Sequence, residues 1–233
     1  MSLIDKVSAI VTSKKPIDEV TYLERKVNYH DNISILNIDL DKIIPPPPKN
    51  SSLTTAKELE EISKATKSRT SNEIELISSV DKDPVHIFTD YLRRNNLTFP
   101  KEKFYSYYNI VEQYVFALKY HYNRARPEQL APYYNLDINV LYTETHHTPA
   151  YPSGHTMYAE LTAQILADQY PEHKEVFFKL SDYCGLARIL QGVHYPSDNK
   201  ASKIAINKLY GIIKELEDDK KSKELSIDTP RKA

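Results

Sequence analysis

The chain has 233 residues, enough for one large domain or two small ones. Hydrophobic residues make up 40% and charged residues 27%, and 31 Lys+Arg against 32 Asp+Glu leave a formal net charge of −1. That balance excludes global steering toward nucleic acid or an anionic membrane, so any anion recognition has to come from a local cluster.

Cys184 is the only cysteine, which excludes an internal disulfide. No apolar run approaches the ~20 residues of a membrane-spanning helix. The apolar run Val7 to Val11 is too short for a secretory signal. A soluble, cytoplasmic protein is therefore expected, with no transmembrane segment and no nucleic-acid partner. All 4 glycines, Gly154, Gly185, Gly192 and Gly211, fall in the second half, and two of them, Gly154 and Gly192, sit inside the motifs described below, at positions where a side chain is expected not to be tolerated.

Residues 1–50 read as an N-terminal arm. Ile33, Ile35, Ile38 and Leu40 partly alternate, as in a short strand or extended segment. Pro45 to Pro48 form a polyproline-type spacer, either a linker or an arm packed across the domain. Thr55 and Glu58 suggest a capping box opening a helix through about Lys67. A second helix is expected from Pro84 to about Asn96, with proline early in it.

The clearest helix runs from Phe104 to about Arg124, with Tyr107, Val111, Tyr114, Leu118 and Tyr122 at helical spacing. Pro127 ends it, because proline disfavours the helical conformation of the residue before it. Residues 128–151 read as a long loop. Helices follow from about His155 to Gln169, from Lys174 to Gln191 with Gly192 suited to its end, and from about Asn199 to Leu216. Residues 217–233 are charged and expected to be disordered. The expected fold is all-α: one helical domain over residues 51–216, without internal repeats.

Three stretches carry chemistry. Lys119 and Arg126 are seven residues apart, so on one helix they share a face. Two cations so placed repel unless an anion lies between them; the plain alternative is a solvated basic face with Arg124. Pro152-Ser153-Gly154-His155 opens a helix, whose free N–H groups attract anions. Gly154 allows close backbone approach, Ser153 offers a hydroxyl and His155 a proton; the alternative is a simple serine cap. Arg188, His194 and Asp198 form the third set. A carboxylate can hold one imidazole N–H and leave the other nitrogen nucleophilic. Asp198 can cap the next helix as well.

Together, these residues resemble the type 2 phosphatidic acid phosphatase (PAP2) superfamily, which includes soluble bacterial acid phosphatases, membrane lipid phosphatases and vanadium haloperoxidases. The motifs cover about residues 119–198, and the helical pattern extends the likeness to 84–216. The resemblance implies an all-α bundle in which His194 attacks phosphorus and becomes a phosphohistidine, oriented by Asp198. His155 would protonate the leaving alkoxide and then activate water. Lys119, Arg126, Ser153, Gly154 and Arg188 would hold the phosphate oxygens, with no metal. The family usually has Ser before the third-motif arginine; here it is Ala187.

The expected function is that of a soluble, metal-independent phosphatase acting on phosphomonoesters or diphosphates, most like the soluble acid phosphatase branch. The alternative is a vanadium haloperoxidase, with vanadate as cofactor in the same pocket; a non-catalytic phosphate-binding module is third. His146 and His147 read as solvent-exposed loop residues, Tyr151 and Tyr195 as residues at the pocket mouth, and Cys184 as core.

Overall fold

The computed structural model describes residues 16–22, 36, 38–142 and 144–227. Among them there is no β-strand, only one bridge between Thr21 and Arg124. The fold is all-α, as expected. Ile33 and Ile35 lie outside the described residues, and Leu40 opens a 3-10 turn through Lys42 rather than a strand.

Helix α1 spans Leu53–Lys67. Its cap is Ser52, whose Oγ accepts from the Thr55 N–H, so Thr55 and Glu58 do not form the expected capping box. Glu58 instead turns inward and is buried. The capping box lies one helix later. Thr70 and Glu73 satisfy each other's backbone N–H groups and open α2, Ser71–Lys82, which the periodicity reading did not include. Helix α3 is His86–Arg94.

Helix α4, Lys101–Tyr122, stops earlier than expected. Asn123 adopts a left-handed conformation (φ 45°) and donates its N–H to Lys119 O, so the chain turns away before Arg124. Asparagine tolerates this conformation better than most residues. The short helix α5, Pro127–Leu130, follows. The segment to residue 151 is mostly irregular, with 3-10 turns at Ala131–Tyr134 and Glu144–His146.

Helix α6, Gly154–Gln169, is the axis of the domain, packed by α4, α7 (Lys174–Leu190) and α8 (Pro196–Ile227). Met157, Leu161 and Ile165 face Tyr107, Val111 and Tyr114 of α4 and Ala205 and Leu209 of α8. Ala159, Ala163 and Leu166 face Phe177 and Cys184 of α7 and Phe88 of α3. A helix apolar on both sides has to be central. Cys184 is a core residue, and burial pushes its thiol up to about 12.

At the end of α7, Gly192 (φ 87°) donates to Ile189 O and Val193 donates to Arg188 O, the paired bonds of a Schellman motif. That reversal returns the chain to the core at His194. The charged stretch after Leu216 continues α8 as far as Ile227, which corrects the expected disorder there; residues 228–233 lie outside the described residues. Unbroken helical hydrogen bonding carries the charged run past the packed part of α8.

The arm is packed across the domain. Ile43 and Ile44 are buried in the α4–α6–α8 core, Tyr151 Oη donates to Pro45 O at 2.5 Å, and Asn50 donates to Ile17 O and Val20 O. Ile43→Ala is expected to lower unfolding free energy by about 2–5 kcal/mol, the range for truncating a buried aliphatic side chain. Denaturant titration checks this; an unchanged midpoint would mean the arm is not part of the folding unit.

Candidate active site

Lys119 lies on α4, but Arg126 lies beyond the helix end, at the cap of α5. The two meet because the chain turns at Asn123, not because they share a helix face. Lys119 Nζ donates to Pro149 O at 2.5 Å. Arg126 donates from Nε to Thr148 O (2.9 Å) and from Nη1 to Val193 O (2.6 Å). Both side chains are buried, and among the described residues neither forms an ion pair with a carboxylate. Burial, followed by the neighbouring Arg126 charge, pushes Lys119 well below its ordinary value. Burial and Arg188 push Arg126 down to about 10.

His194 sits between these cations and Asp198. Its Nε2 lies 3.0 Å from Arg126 Nη1, and its Nδ1 lies 3.0 Å from Asp198 Oδ2. A guanidinium nitrogen only donates, so Nε2 accepts and the proton resides on Nδ1, directed at Asp198. Burial and then Arg126 hold the His194 imidazole well below its usual titration range. The result is a neutral ring with one lone pair at the cationic centre.

Asp198 is the third residue of α8 rather than its N-cap. Its Oδ2 also accepts from the Tyr195 N–H at 2.9 Å, the reach-back contact at the start of α8. Its Oδ1 accepts from Arg124 Nη1 at 2.6 Å. Arg124 in turn contacts Glu58 Oε2 at 3.3 Å and covers the Tyr195 ring at 3.8 Å. Glu58 also accepts from Ser197 N at 2.6 Å. Arg124 and Glu58 thus support the carboxylate behind His194, a role the sequence reading did not assign them.

Gly154 and His155 open α6 as expected. A Cβ on Gly154 would lie 3.2 Å from Val115 Cγ1 and 3.8 Å from Lys119 Cε, so a side chain would press on Val115 beside Lys119. Ser153 Oγ accepts from the Thr156 N–H and hydroxyl at 3.4 and 3.0 Å, as the helix cap. His155 is half-buried, with Nε2 3.2 Å from Asp81 O. Burial and Arg188 lower its pKa to about 3.

Arg188 is buried behind this group. It donates from Nη1 to Asp81 Oδ1 and Gln191 Oε1, both at 2.5 Å, and from Nη2 to Thr145 Oγ1 at 3.1 Å; its Nε has no partner among the described residues. Asp81, at the end of α2, therefore touches both Arg188 and His155. It went unread because its helix went unread, although Thr70 and Glu73 signal that helix in the sequence. Ala187 packs in the apolar cluster beside Cys184.

A cavity of about 350 Å³ joins these groups. Lys119, Arg126, Gly154, His155 and His194 line it, with Thr145, Thr148, Tyr108, Glu112, Val115, Phe116 and Tyr158. Ser153, Arg188 and Asp198 stand behind the lining. Tyr151 and Tyr195 are not at the mouth; both are buried on the far side, around Arg124. His146 is buried against His147 and Tyr142 rather than exposed, while His147 is exposed.

The arrangement combines two buried cations without carboxylate partners, a helix N-terminus, an oriented neutral imidazole and a second histidine. No curated protein sequence matches the chain. Its fold is similar to the crystal structure of the first transmembrane PAP2 type phosphatidylglycerolphosphate phosphatase from Bacillus subtilis. That similarity has a TM-score of 0.49 at 19% identity, covering 71% of this chain and 89% of that one. No described helix here is long and apolar enough to cross a membrane. The PAP2 superfamily model matches residues 104–205, which hold all three motifs.

Proposed function

We propose that the protein is a metal-independent phosphatase that hydrolyses phosphomonoesters or diphosphates through a phosphohistidine on His194. The observation that carries this reading is the burial of Lys119 and Arg126 without carboxylate partners against His194 Nε2. Buried charge is costly unless it is compensated, and a tetrahedral dianion supplies the compensation. At about 4 Å and an effective dielectric near 20, each cation–anion contact has a gross Coulomb term of about 4 kcal/mol.

The chemistry follows from these positions. Phosphate oxygens lie against Lys119, Arg126 and the Gly154 N–H, with Arg188 adding charge from behind. His194 Nε2 attacks phosphorus, the P–O ester bond breaks, and the His155 imidazolium gives its proton to the leaving alkoxide. Asp198 stabilises the charge gained by the His194 ring through the Nδ1–H bond. His155, now neutral, takes a proton from water; the resulting hydroxide attacks phosphorus and releases His194 and phosphate. Positioning and charge stabilisation do most of the work in phosphoryl transfer.

The depressed pKa of His155 makes acid catalysis depend on the substrate. The phosphate's negative charge opposes the cations that depress His155, so binding brings the proton the leaving group needs.

Four experiments test this account. The protein is expected to hydrolyse a chromogenic phosphomonoester in excess chelator, with vanadate as a competitive inhibitor; halide oxidation by the vanadate-loaded protein, in place of ester hydrolysis, would point to the haloperoxidase assignment. His194→Ala is expected to abolish turnover, and Arg126→Ala to slow it by about 10²–10³, the range for losing one oxyanion-stabilising donor. In rapid-quench labelling, His155→Ala should accumulate an acid-labile phosphoryl group that His194→Ala never forms.

The fourth experiment uses pH. Folded His155 and His194 resist protonation that the unfolded chain accepts below about 6.5, so their stability contribution is lost as pH falls from there toward their folded values. Sulfate stays dianionic over this range and lifts those values by opposing the local charge. The gain in Tm from sulfate should therefore be larger at about pH 5.5 than at about pH 7.5; an equal gain at both would show that anion binding and these imidazoles are not coupled.

A further inference from the structure

The cavity has two chemically different ends. One is the cationic centre described above. The other is paved by a stripe of α4, because Tyr108, Glu112, Val115 and Lys119 recur at i, i+4, i+7 and i+11 and so lie on one face. Glu112 and Lys119 are separated by about 10 Å of helical rise, which places a carboxylate and an ammonium at opposite ends of the same cavity. Tyr108 Oη donates to Glu112 Oε1 at 3.0 Å and fixes the carboxylate in place. The Tyr108 and Tyr158 rings lie 4.7 Å apart between centroids, tilted by 32°, and Phe116 completes the aromatic lining.

A carboxylate set among aromatic rings attracts a cation twice over, by charge and through the negative ring faces. A neutral alkyl group meets only the rings, and an anionic group is repelled by Glu112. Resting on the phosphatase reading, we propose that this end is the leaving-group subsite and selects phosphate monoesters whose leaving group carries an ammonium, that is, aminoalkyl phosphates. The zwitterionic ester then lies along α4, with its phosphate at Lys119 and its ammonium at Glu112. Val115 separates the two ends by filling the wall opposite Gly154.

The test compares 2-aminoethyl, propyl and 2-carboxyethyl phosphate with the full chain. The expected kcat/KM order is aminoethyl, then propyl, then carboxyethyl. The first should exceed the second by about tenfold or more, the scale of one charge-assisted contact. Glu112→Gln should collapse the aminoethyl-to-propyl ratio toward one. Equal rates for the first two esters, or a ratio that Glu112→Gln leaves intact, overturn the subsite. If no ester is hydrolysed, the phosphatase reading fails on its own, and calorimetric binding of the same three compounds decides the subsite. Tighter binding of the aminoethyl compound, lost in Glu112→Gln, supports it, and equal affinities overturn it.

Discussion

Lys119 and Arg126 are buried side by side with backbone carbonyls and neutral side chains, but no carboxylate, as their hydrogen-bond partners, and the site is organised around that uncompensated charge. Pro149, Thr148 and Val193 supply those carbonyls from two irregular segments far apart in sequence. Carbonyl dipoles reduce the cost of burial but cannot neutralise it, so both groups are pushed toward losing their protons. Everything nearby answers to this field: His194 stays neutral, His155 is driven far below its usual range, and an anion is favoured at their centre.

A field of this strength has to be anchored, and helices outside the family-matched segment provide the anchors. Glu58 of α1 and Asp81 of α2 both precede residue 104. Glu58 holds Arg124, which holds Asp198, which holds His194. Asp81 holds Arg188 and meets His155 through its carbonyl. Buried pairs of this kind contribute little net stability, but removing one partner typically costs about 3–5 kcal/mol because the other is left charged and alone. The candidate site groups and Asp198 thus come from one part of the chain, and Glu58 and Asp81 from another.

The core explains why these distant groups hold their positions. Helix α6 is packed on both sides, by α4 and α8 and by α3 and α7, so its N-terminus cannot shift without disturbing two apolar clusters. That end carries Gly154 and His155. The Schellman motif at Gly192 and the reach-back bond of Asp198 fix the turn that presents His194. The end of α6 and the turn after α7 therefore hold Gly154, His155 and His194 at the cavity.

The sequence determined the helical class, the positions of α4, α6 and α7 to within a few residues, and five of the residues that line the cavity, Lys119, Arg126, Gly154, His155 and His194. These were legible because apolar periodicity, proline, glycine and helix-opening motifs act locally. It did not determine how the groups meet. Lys119 and Arg126 read as one helix face, yet they converge only through the left-handed turn at Asn123. Arg124 read as part of a basic run, and Glu58 as a helix cap, because nothing local shows that each finds its partner across the fold. Ser153 read as a ligand donor or a helix cap, and its Oγ is the cap acceptor of α6, while Tyr195 lies under Arg124 rather than at the mouth. Ion pairing and burial depend on distance in space, and only tertiary packing sets which buried charges are matched and which are left for a ligand.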